Sequence, residues 1–203
     1  LPKAEHPRPD FYRDTWQNLN GAWEFQFDDE DVGLAQAWYQ QASFSQTITV
    51  PFCYESAASG IHDTGYHPVC WYRRHMGSHE GGYAPFGMDI TECGYSDSFV
   101  VTVRCEDRRD CTQPRGKQYW KEPEGCFYTP VSGIWQTVWL EAKNQLHLES
   151  VQITPDIDER CIHLETSLAG CFTESLHLDC QVSLNGRQVA HAVFSLPKSQ
   201  TSG

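Results

Sequence analysis

The chain has 203 residues, 39% hydrophobic and 21% charged, the balance of a globular protein large enough to bury a core. Its formal net charge of −12 argues against a nucleic-acid partner, because neutralising phosphates takes a basic surface. Arg73-Arg74 and Arg108-Arg109 are pairs rather than patches, no run is long and apolar enough for a membrane helix, and Leu1 to Asp10 is too polar and proline-rich for a signal peptide.

In chain order, Pro2, Pro7 and Pro9 predict an extended arm. Asn20-Gly21 then leads into Ala22 to Phe27, where Trp23, Phe25 and Phe27 alternate with Ala22, Glu24 and Gln26 as in a half-buried strand. Gly33 to Tyr39 is expected to form a short helical turn. Gln46 to Val50 reads as a strand ended by Pro51, which has no N–H to give a ladder. Cys53 to Pro68 is a long loop of Ser, Gly, Asp and His, and Val69 to Arg73 is a strand. Phe99 to Cys105 alternates Phe99, Val101, Val103 and Cys105 inward. Glu106 to Thr129 is a 24-residue irregular segment, long enough in a compact domain to suggest a functional loop. Ile134, Gln136, Val138 and Leu140 alternate with Trp135, Thr137, Trp139 and Glu141, which predicts a further strand with a core face and a face of two indoles among polar groups.

After Asn144 the texture becomes regular. Leu146 to Ile153, Cys161 to Ser167 and Leu176 to Leu184 read as strands, and Asn185-Gly186 predicts a tight hairpin into Arg187 to Leu196. Helical periodicity beyond two turns is absent. The fold class expected is all-β, in two units with a boundary near residues 142–146.

The nine cysteines are odd in number and contain no C-x-x-C, so they read as reduced, mostly packed thiols of a cytoplasmic protein, with no zinc or redox motif. Among the nine histidines, His62, His75 and His79 lack metal-ligand spacing. No metal and no cofactor are expected.

Several segments resemble family 2 glycoside hydrolases, in the order found in that family. They are Pro7-Arg8-Pro9-Asp10, Asn18 to Phe25, Ile48 to Phe52, Val69 to Arg74, Gly77 to Phe86, Val103 to Asp107 and the strand after Gly133. The resemblance covers about residues 1–160. It implies a jelly-roll sandwich like a galactose-binding domain over residues 1–143. An immunoglobulin-like β-sandwich, present in part, would follow over 144–203. The likeness is to β-galactosidases and β-glucuronidases, which are retaining β-glycosidases.

Three departures from the family pattern shape the functional expectation. Only His75 and Met76 separate Arg74 from Gly77, where the family carries a hairpin of about thirty residues; losing it would open strand edges and uncover a core face, which predicts a poorly closed first domain. The two catalytic glutamates, about 5 Å apart in a retaining enzyme, belong in the family to a barrel that would lie beyond Gly203. Glu80, Glu106, Glu122 and Glu124 are read as solvated surface carboxylates instead, so no catalytic residue is assigned. The family's sugar-contacting aspartate, seven residues before the Gly-Ile isoleucine, falls on Phe127.

The substrate-binding candidates are therefore Arg115, Lys117, Gln118 and Tyr128, whose polar groups suit vicinal hydroxyls, with Trp120 as a stacking surface. The same segment also fits a packed Ω-like loop with local pairing. The function expected is the non-catalytic N-terminal portion of a β-glycosidase, inactive alone, with a β-glycoside, the missing C-terminal barrel and a second copy of the chain as partners. The alternatives are a stand-alone carbohydrate-binding module and a structural or oligomerisation β domain.

Overall fold

The computed structural model describes residues 2–41, 43–73, 86–93, 100–108, 116–118 and 124–197. Among them are ten strands, three 3-10 turns and no α-helix, so the protein is all-β. The strands are β1 Trp16–Asn18, β2 Gly21–Phe27, β3 Gln46–Val50, β4 Val69–Tyr72 and β5 Val103–Glu106. They continue with β6 Trp139–Glu141, β7 His147–Asp156, β8 Cys161–Ala169, β9 Leu176–Leu184 and β10 Arg187–Leu196. The expected deletion at residues 75–76 and the Gly77 to Pro85 part of the family motif lie outside the described residues.

The chain forms two compact units, one of Leu1–Pro7 with Gln17–Leu140 and one of Arg8–Trp16 with Glu141–Gly203. The first is built on a four-stranded sheet in the order β3-β2-β4-β5, with β1 paired to β6 as a separate ribbon. Its registers are antiparallel: Trp23 faces Ile48, Phe25 faces Tyr72, and Cys70 faces Cys105. Period-2 alternation on β2 puts Trp23 and Phe25 into the core, where Ile48, Val50, Tyr54, Cys70 and Tyr72 join them. On the opposite face Val69 and Trp71 pack with Trp38 and Phe44. β4 is thus buried on both sides, which is why its sequence is an unbroken apolar run.

A buried carboxylate organises that second face. Asp28, 2% exposed, accepts from Val32 N at 2.8 Å, Gly33 N at 2.9 Å and Trp71 Nε1 at 2.8 Å. One side chain thereby folds the acidic turn after β2 against the central strand and satisfies donors that burial would otherwise leave unpaired.

The strand expected from Ile134 is shorter than its alternation suggests, because only Trp139–Glu141 pair. Two upstream backbone donors are taken by side chains. Ile134 N donates to Tyr72 Oη at 3.2 Å, and Val138 N donates to Asn20 Oδ1 at 3.0 Å. The inward face is nonetheless as expected, with Ile134 and Val138 packed on the core. Residues 103–106 likewise pair over less than the expected Phe99 to Cys105 run, part of which lies outside the described residues.

The second unit contains two antiparallel ribbons, β7 with β8 and β9 with β10. β9 begins and ends where expected, and Leu176, Leu178, Cys180 and Val182 are its less exposed side, while Leu184, expected on the same face, is 64% exposed. Arg13 donates to Glu141 Oε1 at 2.5 Å and to the Leu148 carbonyl, which ties the Arg8–Trp16 segment to this unit.

The cysteines Cys53, Cys70, Cys105, Cys126, Cys161, Cys171 and Cys180 are free thiols. Cys70 is buried and Cys53, Cys105 and Cys180 are half-buried, while Cys126, Cys161 and Cys171 are exposed. The hydrogen bond with Cys105, followed by burial, pushes the Cys70 thiol well up and keeps it protonated.

Candidate functional site

The loop expected to meet a sugar is organised around residues 116–118 and 124–131. Gln118 and Tyr128 form a parallel bridge, and Tyr128 N donates to the Lys117 carbonyl at 2.9 Å. Val131 N donates to Gln118 Oε1 at 2.9 Å, so the Gln118 amide oxygen closes the loop on itself. Lys117 is exposed and the Tyr128 ring is 62% exposed. Three candidates, Lys117, Gln118 and Tyr128, are therefore brought together. Arg115 and Trp120 lie outside the described residues. Phe127, at the position of the family's aspartate, is 42% exposed and donates its amide to Glu124 O at 3.1 Å.

Beneath this loop the Ser132-Gly133-Ile134 turn is held by the buried Glu55 and Tyr72 and the half-buried Asp107. Ser132 N donates to Glu55 Oε2 at 3.2 Å, and Ser132 Oγ donates to Asp107 Oδ2 at 3.1 Å. Asp107 N donates to the Pro68 carbonyl at 2.9 Å, so the brace reaches the start of β4. Glu55 sits in a loop closed by its own 3-10 turn, Ala57–Ser59, whose N-cap Ser56 accepts from Ala58 N. Within a stretch of Ser, Ala and Gly its only sequence signal is a lone charge after two aromatic-rich positions, which does not distinguish a brace from a solvated loop.

Glu55 is 5% exposed, and its Oε1 has no hydrogen-bond partner. Burial pushes its carboxyl up from 4.5, opposed by the hydrogen bonds from Ser132. Burial likewise raises the Tyr54 and Tyr72 phenols. Because the folded Glu55 holds its proton to higher pH than the unfolded chain does, its contribution to stability is full below about pH 4.5 and is lost as pH rises through the shifted value. Glu55→Gln, which carries no charge at any pH, is expected to remove that loss. The difference in urea-unfolding free energy, variant minus wild type, should grow from acid to neutral pH. A difference that stays flat would contradict a buried, proton-retaining Glu55.

Among the described residues, neither Glu55 nor Glu106 is placed as an open general acid. Glu55 is sealed from solvent, and Glu106 is bound by Arg104 at 2.7 Å and by Arg108. The Arg104 hydrogen bond holds the Glu106 carboxyl below its usual range, the opposite of what a general acid needs. The reading of Glu106 as simply solvated therefore gains two ion partners. Burial works against the Arg104 charge, but its bonds to Glu106 and Asp31 prevail and raise its pKa. A surface depression nearby is lined by Asp29, Glu30, Asp31, Tyr66 and Arg108, and includes none of the predicted sugar contacts. Glu80 and Glu122 lie outside the described residues, and Glu124 is exposed.

No model of a known protein family matches the chain. A β-galactosidase of Thermoanaerobacter pseudethanolicus is 25% identical to it over 175 residues, taking in 69% of this chain and 21% of that enzyme. Among solved structures, the Ruminococcus gnavus β-glucuronidase shares the fold with a TM-score of 0.64 at 16% identity, covering 94% of this chain and 40% of that one. An uncultured Clostridium sp. β-glucuronidase gives a TM-score of 0.64 at 17% identity, covering 92% and 40%. The chain is thus similar in sequence to a β-galactosidase and in fold to β-glucuronidases, as the resemblance to family 2 glycoside hydrolases implies. It spans about a fifth of the length of the first and about two fifths of the others. No helix among the described residues is long and apolar enough to cross a membrane.

Proposed function

We propose that this chain is the non-catalytic β portion of a β-glycosidase, presenting a sugar-contacting loop to an active site whose acid and nucleophile stand on another domain. The observation that carries this reading is the braced turn. Glu55, Asp107 and Tyr72 immobilise Ser132 to Ile134 directly after a loop that exposes Lys117 and Tyr128. A rigid base under an exposed aromatic and a cation positions groups for hydroxyl and ring contacts.

In this reading residues 1–143 form the jelly-roll domain and residues 144–203 part of an immunoglobulin-like sandwich. A deletion near residues 75–76 agrees with an alignment to the β-galactosidase that is longer than the part of this chain it takes in. Lys117, Gln118 and Tyr128, with Arg115 and Trp120, are the sugar-facing set, Gln118 shaping the loop. The free thiols agree with a reducing cytoplasmic setting. The partners are a β-glycoside, a catalytic barrel and, through open strand edges, a second copy of the chain.

Calorimetry with methyl β-galactoside and methyl β-glucuronide tests the loop's role. A portion that completes another domain's site should bind either sugar alone with a Kd of about 1 mM or weaker, and Tyr128→Ala should abolish that residual heat. Micromolar binding that depends on Tyr128 would identify a stand-alone carbohydrate-binding module instead. Heat unaffected by Tyr128→Ala or Lys117→Ala would remove the loop from the sugar site.

A further inference from the structure

We propose that Asp156, Cys161 and His163, at the closed end of the β7–β8 ribbon, form a zinc-binding site. The three residues come together through strand register. Asp156 lies directly opposite Cys161 in the antiparallel pairing, and His163, two residues further along β8, projects from the same face as Cys161. No spacing motif announces the set, because one donor sits across the turn from the other two.

The donor geometry is that of a tetrahedral site before closure. Cys161 Sγ lies 3.5 Å from His163 Nε2, and His163 Nε2 lies 3.9 Å from Asp156 Oδ2. All three ligand atoms lie within 4.8 Å of one another. Metal–ligand bonds of about 2.0 to 2.3 Å at tetrahedral angles set donors roughly 3.3 to 3.8 Å apart, so small side-chain rotations suffice. Asp156 is also pre-oriented, since its Oδ1 accepts from Glu159 N at 2.9 Å inside the turn and leaves Oδ2 toward the imidazole.

The chemistry of the set selects the cation. One thiolate, one imidazole and one carboxylate are the three ligand types of zinc sites, whereas magnesium and calcium take oxygen donors alone. Cys161 and His163 are exposed, so water completes the fourth position. The ion would clamp the two strand ends on either side of Ile157 to Arg160 and restrain the ribbon's turn.

Cobalt(II) reports such a site directly. The purified, reduced chain titrated with cobalt is expected to bind one equivalent, with a thiolate charge-transfer band and intense tetrahedral d–d bands that zinc displaces. Cys161→Ser should abolish the charge-transfer band, and His163→Gln should weaken binding about 100-fold, the upper range for losing even a supporting group of a metal site. All three donors lie at the surface of a ribbon turn, so these variants are expected to keep the wild-type circular dichroism. Cys171→Ser, a control at another exposed thiol of the same unit, should leave the spectrum unchanged. A charge-transfer band that survives Cys161→Ser, or a wild-type spectrum with only weak octahedral bands, would overturn the proposal.

Discussion

Gly133→Ala is expected to destabilise the first unit by on the order of 3 kcal/mol, adding left-handed backbone strain to an overpacked core contact. Gly133 has φ 82°, and a Cβ built there would lie 2.0 Å from Tyr72 Oη and 3.1 Å from Cζ. Tyr72 has no room to retreat. It is fully buried, with its ring 5.0 Å from Phe25 and 6.3 Å from Trp23, and its backbone is paired to both β2 and β5. Burial of the phenol is compensated by the hydrogen bond it accepts from Ile134 N. Tyr72→Phe alone should therefore cost about 1 kcal/mol for the lost bond. It also removes the atom that alanine would strike, so the double variant should be less unstable than the two single costs combined. Urea unfolding followed by tryptophan fluorescence measures all three. Strict additivity, or a Gly133→Ala cost below about 0.5 kcal/mol, the range of ordinary surface substitutions, would mean that the turn is not clamped on Tyr72.

The second large effect is expected at Asp28. Asp28→Ala leaves the Val32 and Gly33 amides and the Trp71 indole N–H without their acceptor in a buried site, at a cost of about 3 to 5 kcal/mol. Asp28→Asn keeps one oxygen. Placed at the Oδ2 position it still serves Gly33 and Trp71 and loses only Val32, so about 1 to 2 kcal/mol is expected. The graded pair separates a hydrogen-bond hub from a simple volume effect, because Asn and Asp have nearly the same shape. Equal losses in the two variants would contradict the hub. The Trp71 indole, deprived of its acceptor, should also change its emission in Asp28→Ala and not in Asp28→Asn.

Both residues illustrate what the chain discloses and what it withholds. β2 and β9 are readable because period-2 alternation coincides with real ladders, and Asn185-Gly186 supplies the turn into β10 that the β9–β10 register requires. The segment after Gly133 alternates just as cleanly, yet it pairs only from Trp139. There the competition is between strand partners and the side-chain acceptors Tyr72 Oη and Asn20 Oδ1, and pattern alone carries no information about that outcome. Asp28 and Glu55 lie in stretches rich in polar or small residues, where a carboxylate facing inward looks the same as one facing water. Only the tertiary packing of Trp71 over one and Ser132 over the other separates them.

The candidate sugar loop was legible to a similar degree. Its length and its Lys117, Gln118 and Tyr128 marked it, and these three do assemble around one bridge. What sequence did not disclose is the division of labour, with Gln118 closing the loop through Val131 while Tyr128 stands in solvent. The brace below it, from Glu55, Asp107 and Tyr72, holds Ser132 and Ile134 in place. Asp156, Cys161 and His163 were invisible for a related reason, since cross-strand register brings together donors that no linear spacing connects.

The most direct measurement is turnover of aryl β-galactoside and aryl β-glucuronide by the purified chain. No aryl alcohol should be released above the uncatalysed rate by the wild type, and Glu55→Gln and Glu106→Gln should be indistinguishable from it. Sustained hydrolysis that either substitution abolishes would contradict a non-catalytic role and place the acid or the nucleophile within these 203 residues.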